Sequence, residues 1–380
     1  MKIMNFRKWP WQEVCTYVVS LFFAAPVVYG HEIQFSQTRP ASMQALAAPV
    51  RTQLALAQEK ENKPLNALYQ SAKKEGRVVI WGPTDPAHIN PVIAAFKREF
   101  PGIEVVTFEI QPPEYTQRLV AEALAGRAPE ADVIELGPRE ILVLNARGIL
   151  QTHRDWGSLF GTSSSNIHAD GIGVTFYDLV HIVAANTNLV KKQDYPKTWD
   201  DLLDPKWKGK IILEQRLQNV GGLGVAMGED WLKRFATGLK NQQLIFVRGG
   251  TPAFNQLVSG QASISIGPYI HHVLGGKKKG APADIIPVSP LLVSPRPVGV
   301  LAKAQHPHAG KLLAGWLSTP TAQQILEKAS SRGAADPDSG TETAKLLKEL
   351  GVKLIVDNDK IAQRRVELEK LMQEWMGIRR

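Results

Sequence analysis

NALYQSAKKEGRVVIWGP, residues 66–83, decides the fold class. Its first part reads as a short amphipathic helix that stops at Gly76, and RVVIWGP reads as a strand opening into a Gly-Pro turn. The same unit recurs downstream. PVIAAFKREFPG, residues 91–102, spaces Val92, Ile93, Phe96 and Phe100 for one helical face and stops at Pro101-Gly102, and IEVVTFEI, 103–110, follows as a strand. YTQRLVAEALAG is a third helix and ADVIEL, 131–136, a third strand. Helices alternating with short apolar strands predict an α/β fold with mainly parallel sheets covered on both faces.

Farther along, GVTFYDLVHIVAANTNLV, 173–190, is long enough for a strand that leaves one lobe and enters another. The alternation then restarts in TWDDLLDPKWKGKIIL, GEDWLKRFATGL and TPAFNQLVSGQASISIGPY. Residues 287–310 carry prolines through an apolar β-like run, which suits an edge or crossover strand better than a central one. The predicted division is lobe 1 over 64–176, lobe 2 over 177–296, a return to lobe 1 over 297–335, and C-terminal helices over 336–380. The length of 380 residues, more than one core usually serves, agrees with two lobes.

Composition narrows the function classes. At 44% hydrophobic and 21% charged the chain can bury a substantial core, and a single cysteine excludes a disulfide framework, a thiolate zinc cluster and an iron–sulfur site. The net charge of +9 would permit nucleic-acid or anionic-surface binding, but it is scattered with no basic tract and by itself decides little; no nucleic-acid partner is expected. Lys2, Arg7 and Lys8 precede an apolar run of about fifteen residues, Val14 to Val28, which is shorter than the roughly 20 that span a bilayer. Residues 1–30 therefore read as a signal peptide, and 31–63, rich in Gln, Ala, Ser and Pro, as a disordered leader. Export to an oxidising compartment is the expected outcome.

Several blocks carry a family resemblance: LYQSAKKEGRVVIW, AFKREFPGIEV, ADVIEL, AANTNLV, KTWDDLLDPKWKGKI, GQASISIG and VGVLAKAQHPHAGKLLAGWLSTPTAQQIL. In this order, from about residue 65 to 330, they resemble the extracellular solute-binding proteins of ABC importers, specifically the group that includes periplasmic ferric-ion-binding proteins. The resemblance implies two α/β lobes joined by crossing strands, a small solute held in the cleft, hinge closure, and delivery to a permease in the inner membrane. It implies no cofactor, with ferric iron as one transported ligand.

In open α/β sheets ligands sit beyond the carboxyl ends of strands. Five loops qualify: 81–85, 136–139, 214–219, 248–251 and 267–271. Arg139, Arg216 and Arg248 lie on them, and converging guanidinium groups suit a carboxylate or phosphate, although a loop arginine is by default a solvated one. Arg248, ahead of two glycines and a helix start at Thr251, is the preferred anion cradle. Trp81 and Tyr269 would face each other across the cleft, or Trp81 would be core; Gly82, Thr84, Asp85 and Asn219 would add backbone and hydrogen-bond contacts. For iron the resemblance implies an adjacent tyrosine pair after GQASISIG, where this chain has Tyr269, His271 and His272. Tyr269 with His271, joined by Asp85 or His88, is the candidate metal set, ranked below an organic or oxo-anion. No GxSxG, HExxH, Walker A or GxGxxG motif is present, GGLG at 221–224 lacks the phosphate-loop lysine, and Ser163 to Ser165 with His168 and Asp170 reads as a loop. The chain is read as a non-enzyme; a secreted two-lobed enzyme and a binding protein serving a sensor kinase are the alternatives.

Overall fold

The computed structural model describes residues 63–168 and 171–378. The expected signal peptide, nearly all of the leader and Asp170 lie outside the described residues. Eleven strands form one continuous sheet: β1 Arg77–Gly82, β2 Glu104–Glu109, β3 Val133–Glu135, β4 Ile167–His168, β5 Gly173–Asn186, β6 Ile211–Glu214, β7 Ile245–Val247, β8 Ile264–Tyr269, β9 Ala283–Ile286, β10 Leu291–Val300 and β11 Leu354–Val356. The main order is β2-β1-β3-β10-β5-β8-β6-β7. Within the first half β1 pairs in parallel with β2 and β3, and within the second β6 pairs in parallel with β7 and β8.

The long strand β5 belongs to both halves. Its first part, Gly173 to Val180, runs antiparallel to β10, and its second, from His181 to Asn186, pairs with β8 and β9. All fourteen of its residues are buried, which explains an unbroken β-prone run in place of alternation.

One expectation is corrected in part. The proline-bearing run forms β10, which does cross between the halves, pairing β11 at one end and β3 at the other, but it is interior to the sheet beside β5 and not at an edge. Two prolines survive there because the register slips between Arg296 and Pro297, and a bulge removes the need for an unbroken ladder.

Three apolar clusters hold the halves together. In the first half Val78 and Ile80 point to a core built with Phe96, Leu312 and Trp316, while Trp81, on the opposite pleat, joins Tyr115, Leu119 and Ile134 on the other face. The second half closes around Val183, Ile212, Ile266, Trp199 and Phe235 and takes in Leu368 and Met372 of the last helix, Asp359–Met376. Each such side chain, fully buried, contributes about 1.5–3 kcal/mol. Among the described residues no helix is long and apolar enough to cross a membrane.

Candidate ligand cleft

A cavity of about 690 Å³ opens where the two halves meet at β5. It is walled by the loops that follow β1, β3, β6, β7 and β8, here Pro83, Pro138 to Glu140, Arg216, Gly249 to Pro252, and Tyr269 with His271 and His272. These are the carboxyl ends of strands, as the layered architecture requires. Tyr177, Leu179 and His181 of β5 and Ser294 and Arg296 of β10 form its floor, and Arg332, Asp357 and Arg365 reach it from the C-terminal region.

Five arginines line this one space, and their surroundings differ. Arg139 Nη2 lies 2.9 Å from Glu369 Oε2, and Arg216 Nε lies 2.7 Å from Glu214 Oε1. Arg365, almost fully buried, reaches Glu369 Oε1 at 3.1 Å and Asp357 Oδ2 at 3.2 Å. Ser294 donates to Asp357, so its oxygen accepts from His181 Nε2 at 3.1 Å. A chain of polar contacts therefore runs from the helix Pro138–Asn145 through the last helix to β10 and β5. Burial, with Arg365, Arg296 and Arg216 nearby, holds His181 neutral, well below the usual imidazole range.

Arg296 and Arg332 make no ion pair with any described residue. Both approach Tyr177: the Arg332 guanidinium sits 5.7 Å from the ring centre, and both charges act on the phenol. The Tyr177 hydroxyl donates to Glu135 Oε1 at 2.6 Å, and burial pushes its pKa up. The bulge between Arg296 and Pro297 places Arg296 on the floor, a re-aiming of a side chain that bulges commonly produce. Arg332 follows the helix Pro320–Ser330, where Ser331 turns the chain at φ 61° and Ser330 Oγ accepts from the Arg332 N–H.

The imidazoles at the cleft are neutral. Burial, and after it Arg332, lowers His272 to about 4; its Nδ1 accepts from the Tyr269 N–H, leaving Nε2 to donate to Thr251 Oγ1 at 3.1 Å. His271 is held well below its ordinary value by burial, His272, Arg332 and His88, and its Nδ1 has no partner. Tyr269 stacks on His271 with ring centres 5.5 Å apart, and its hydroxyl lies beside Arg216.

Of the candidates read from the sequence, Arg139, Arg216, Thr251, Tyr269 and His271 meet at this cavity. The others do not. Trp81 does not face Tyr269: it is 2% exposed, on the pleat covered by the helix Pro112–Leu124, with Arg118 stacked 4.6 Å over its ring. Gly82 is required by packing, since a Cβ there would lie 2.6 Å from Glu135 Cβ. Thr84 is buried and donates to Glu135 Oε2 at 2.6 Å, and Asp85 caps the helix Pro86–Glu99 by accepting from Ala87 N–H at 2.7 Å. Asn219 is buried on the helix Gln218–Met227, off the lining, and GGLG lies inside that helix. Arg248 is exposed outside the cavity, because the chain turns at Gly249, φ 104°, and only the residues after it enter the wall. His88, also off the lining, is held below its usual value by burial and then Arg332. Ser163 donates to Asp336, and His168 bonds Thr175, so they form no common site. Among the described residues no group of three or more His, Cys, Asp or Glu is placed to hold a metal ion.

Arg296 and Arg332 were missed by strand-end reasoning. A signal existed for the first, an arginine between two prolines inside an apolar run, which marks a bulge. Nothing local marked the second.

No curated protein matches the chain in sequence. Among solved structures, a Trichodesmium protein (IdiA, FutA) in complex with iron and citrate is 17% identical, covering 80% of this chain and 100% of that one, with a TM-score of 0.65. Iron-bound HitA from Pseudomonas aeruginosa is 17% identical over 78% of this chain and 99% of its own, with a TM-score of 0.62. The substrate binding protein of an ABC transporter from Agrobacterium tumefaciens is 13% identical, covering 79% and 95%, with a TM-score of 0.63. These likenesses establish the two-lobed fold of periplasmic binding proteins. The family described as bacterial extracellular solute-binding protein matches residues 92–346, and the chain belongs to it.

Proposed function

We propose that this protein captures a small organic or oxo-anion between Arg296 and Arg332, closes over it by bending at the crossing strands, and hands it to an ABC permease of the inner membrane. The observation that carries this reading is that those two arginines, both beside Tyr177 at one cavity, have no ion-pair partner among the described residues, while Arg139, Arg216 and Arg365 are already neutralised by carboxylates. An unpaired guanidinium in a closing cleft gains most from a bidentate anion. On this reading lobe 1 comprises 64–176 and 297–335, lobe 2 comprises 177–296, the helices of 336–380 brace both, and residues 1–30 direct export to the periplasm, where the protein acts as a monomer without a cofactor.

Ferric iron is the second cargo reading. Relatives of the same fold are described with iron, and Tyr269 and His271 stack at the cleft. Arg332 and Arg296 beside these rings oppose a trivalent cation unless an anion accompanies it. The anion reading therefore leads.

Thermal unfolding with carboxylates, phosphates, phosphonates, sulfonates and ferric citrate tests both. A ligand at 100 times its dissociation constant adds about 2.7 kcal/mol. Arg332→Ala is expected to weaken the responding anion at least ~10-fold with the unliganded midpoint preserved. Unchanged affinity would refute the assignment, and a response to ferric ion without an anion would favour the second reading.

A further inference from the structure

The cleft also holds one acidic group that forms no ion pair with any described residue. Asp357 is paired with Arg365, but Glu140, on the same wall, has no ion pair or hydrogen bond from its carboxylate to any described residue. It stands beside Arg296. A Cβ placed on Gly137 would lie 2.5 Å from Arg296 Nη1 and 2.5 Å from Glu140 Oε2, so the two groups lie within about 5 Å of each other without forming an ion pair, and Glu140 is among the charges that raise the Arg296 pKa. Arg139, the preceding residue, turns away to Glu369. The first turn of the helix Pro138–Asn145 thus sends one charge to the last helix and one into the cavity.

This arrangement has a consequence for any solute bound at Arg296. A simple anion that took up the Arg296 guanidinium would be brought next to the Glu140 carboxylate, which no described cation contacts, as the cleft closes and water leaves, and that is a like-charge contact. A solute that also carries an ammonium group a few bonds from its anionic group removes that repulsion. It gives Glu140 a charge-assisted hydrogen bond and gives Arg296 the anion, each opposite charge bridging a gap that the protein itself leaves open. We infer that the solute is a zwitterion, an amino acid or an aminoalkyl sulfonate or phosphonate, with its anionic group between Arg296 and Arg332 and its amino group on Glu140. The inference rests on the anion-binding reading above and narrows it: Glu140 selects amine-bearing anions against their amine-free counterparts.

Calorimetric titration of the full chain with matched pairs decides it: β-alanine against propionate, taurine against ethanesulfonate, and 2-aminoethylphosphonate against ethylphosphonate. The aminated member of at least one pair is expected to bind ~10-fold tighter or more. Glu140→Gln is expected to shrink that ratio to about twofold by weakening the aminated member alone. Equal binding within every pair that binds, or a ratio that survives Glu140→Gln, overturns the zwitterion and leaves the anion cleft standing. Binding by no member of any pair overturns the anion reading and this inference with it. Should the variant fail to fold, the ratio in the unaltered protein alone decides.

Discussion

The two arginine groups of the cleft make the most instructive comparison in this molecule. Arg139, Arg216 and Arg365 are each held by a carboxylate within 3.2 Å, whereas Arg296 and Arg332, in the same cavity, have none that close among the described residues. Residue type is the same in the two groups, and helix, strand and loop positions are mixed across them; what differs is whether another part of the chain has already supplied the counter-charge. A paired guanidinium braces the protein, and an unpaired one is available to a solute. Asp178 gives a third outcome on the far side of the crossing strands. One residue beyond Tyr177, and so on the opposite pleat, it is buried without a cation, and burial raises its pKa to about 6 even though the Ala335 N–H bonds its carboxylate.

The largest effect should come from breaking the paired group. Arg365→Met leaves Asp357 without its cation and removes one of two from Glu369, and removing one partner of a buried pair costs about 3–5 kcal/mol. Urea unfolding is expected to show this; a loss below ~1 kcal/mol would mean that the network contributes little and that the contrast with Arg296 and Arg332 is not one of stability against binding.

Asp178 sharpens the comparison through pH. Its folded pKa is raised from 3.8 to about 6, so the folded state holds the proton more tightly than the unfolded chain. Its contribution is most favourable below pH 3.8 and is lost as the pH rises through about 6. Asp178→Asn, which can still accept from Ala335, should therefore stabilise the protein by on the order of 2–3 kcal/mol at neutral pH and by much less near the unfolded carboxylate pKa. The histidines act in the opposite sense over much of the same range. His272, lowered to about 4, loses stability for the fold as the pH falls below 6.5, so the test compares variant with parent at each pH. A pH-independent difference would refute the assignment.

The smallest effect is expected at Arg248. Exposed and outside the cavity, Arg248→Ala should change solute affinity less than about twofold and stability within ~0.5 kcal/mol. A tenfold loss would return the anion site to the loop before Thr251 and undo the comparison.

The ways in which sequence and structure differ share one cause. Trp81 and Arg248 both sit at strand ends, and a linear reading could apply only strand-end position and, for Arg248, the glycines and helix start that follow it. Which pleat Trp81 occupied depended on the helix Pro112–Leu124 covering it, and which residue after β7 entered the wall depended on the turn at Gly249. Asp85 was an ordinary helix cap by its spacing to Pro86 and Ala87, a local role that competed with ligand binding and prevailed. Tyr269, Thr251, Arg139 and Arg216 were legible because the carboxyl ends of their strands converge in any fold of this layered kind.

Periodicity, capping residues, glycine stops and the blocks between 65 and 330 were sufficient by themselves for the α/β class, the solute-binding family and a crossing strand within 173–190, which the structure ends at Asn186, because each depends on residues a few positions apart or on a local block read whole. Tertiary structure alone decided which charges are spoken for. Glu369 neutralises Arg139 from 230 residues away, and Asp357 and Arg365 meet at the cleft only because the last helix packs across the second half. Electrostatic pairing acts through space and is indifferent to sequence separation, so Arg296, Arg332 and Glu140 stand out as unpaired only once the partners of Arg139, Arg216 and Arg365 are placed.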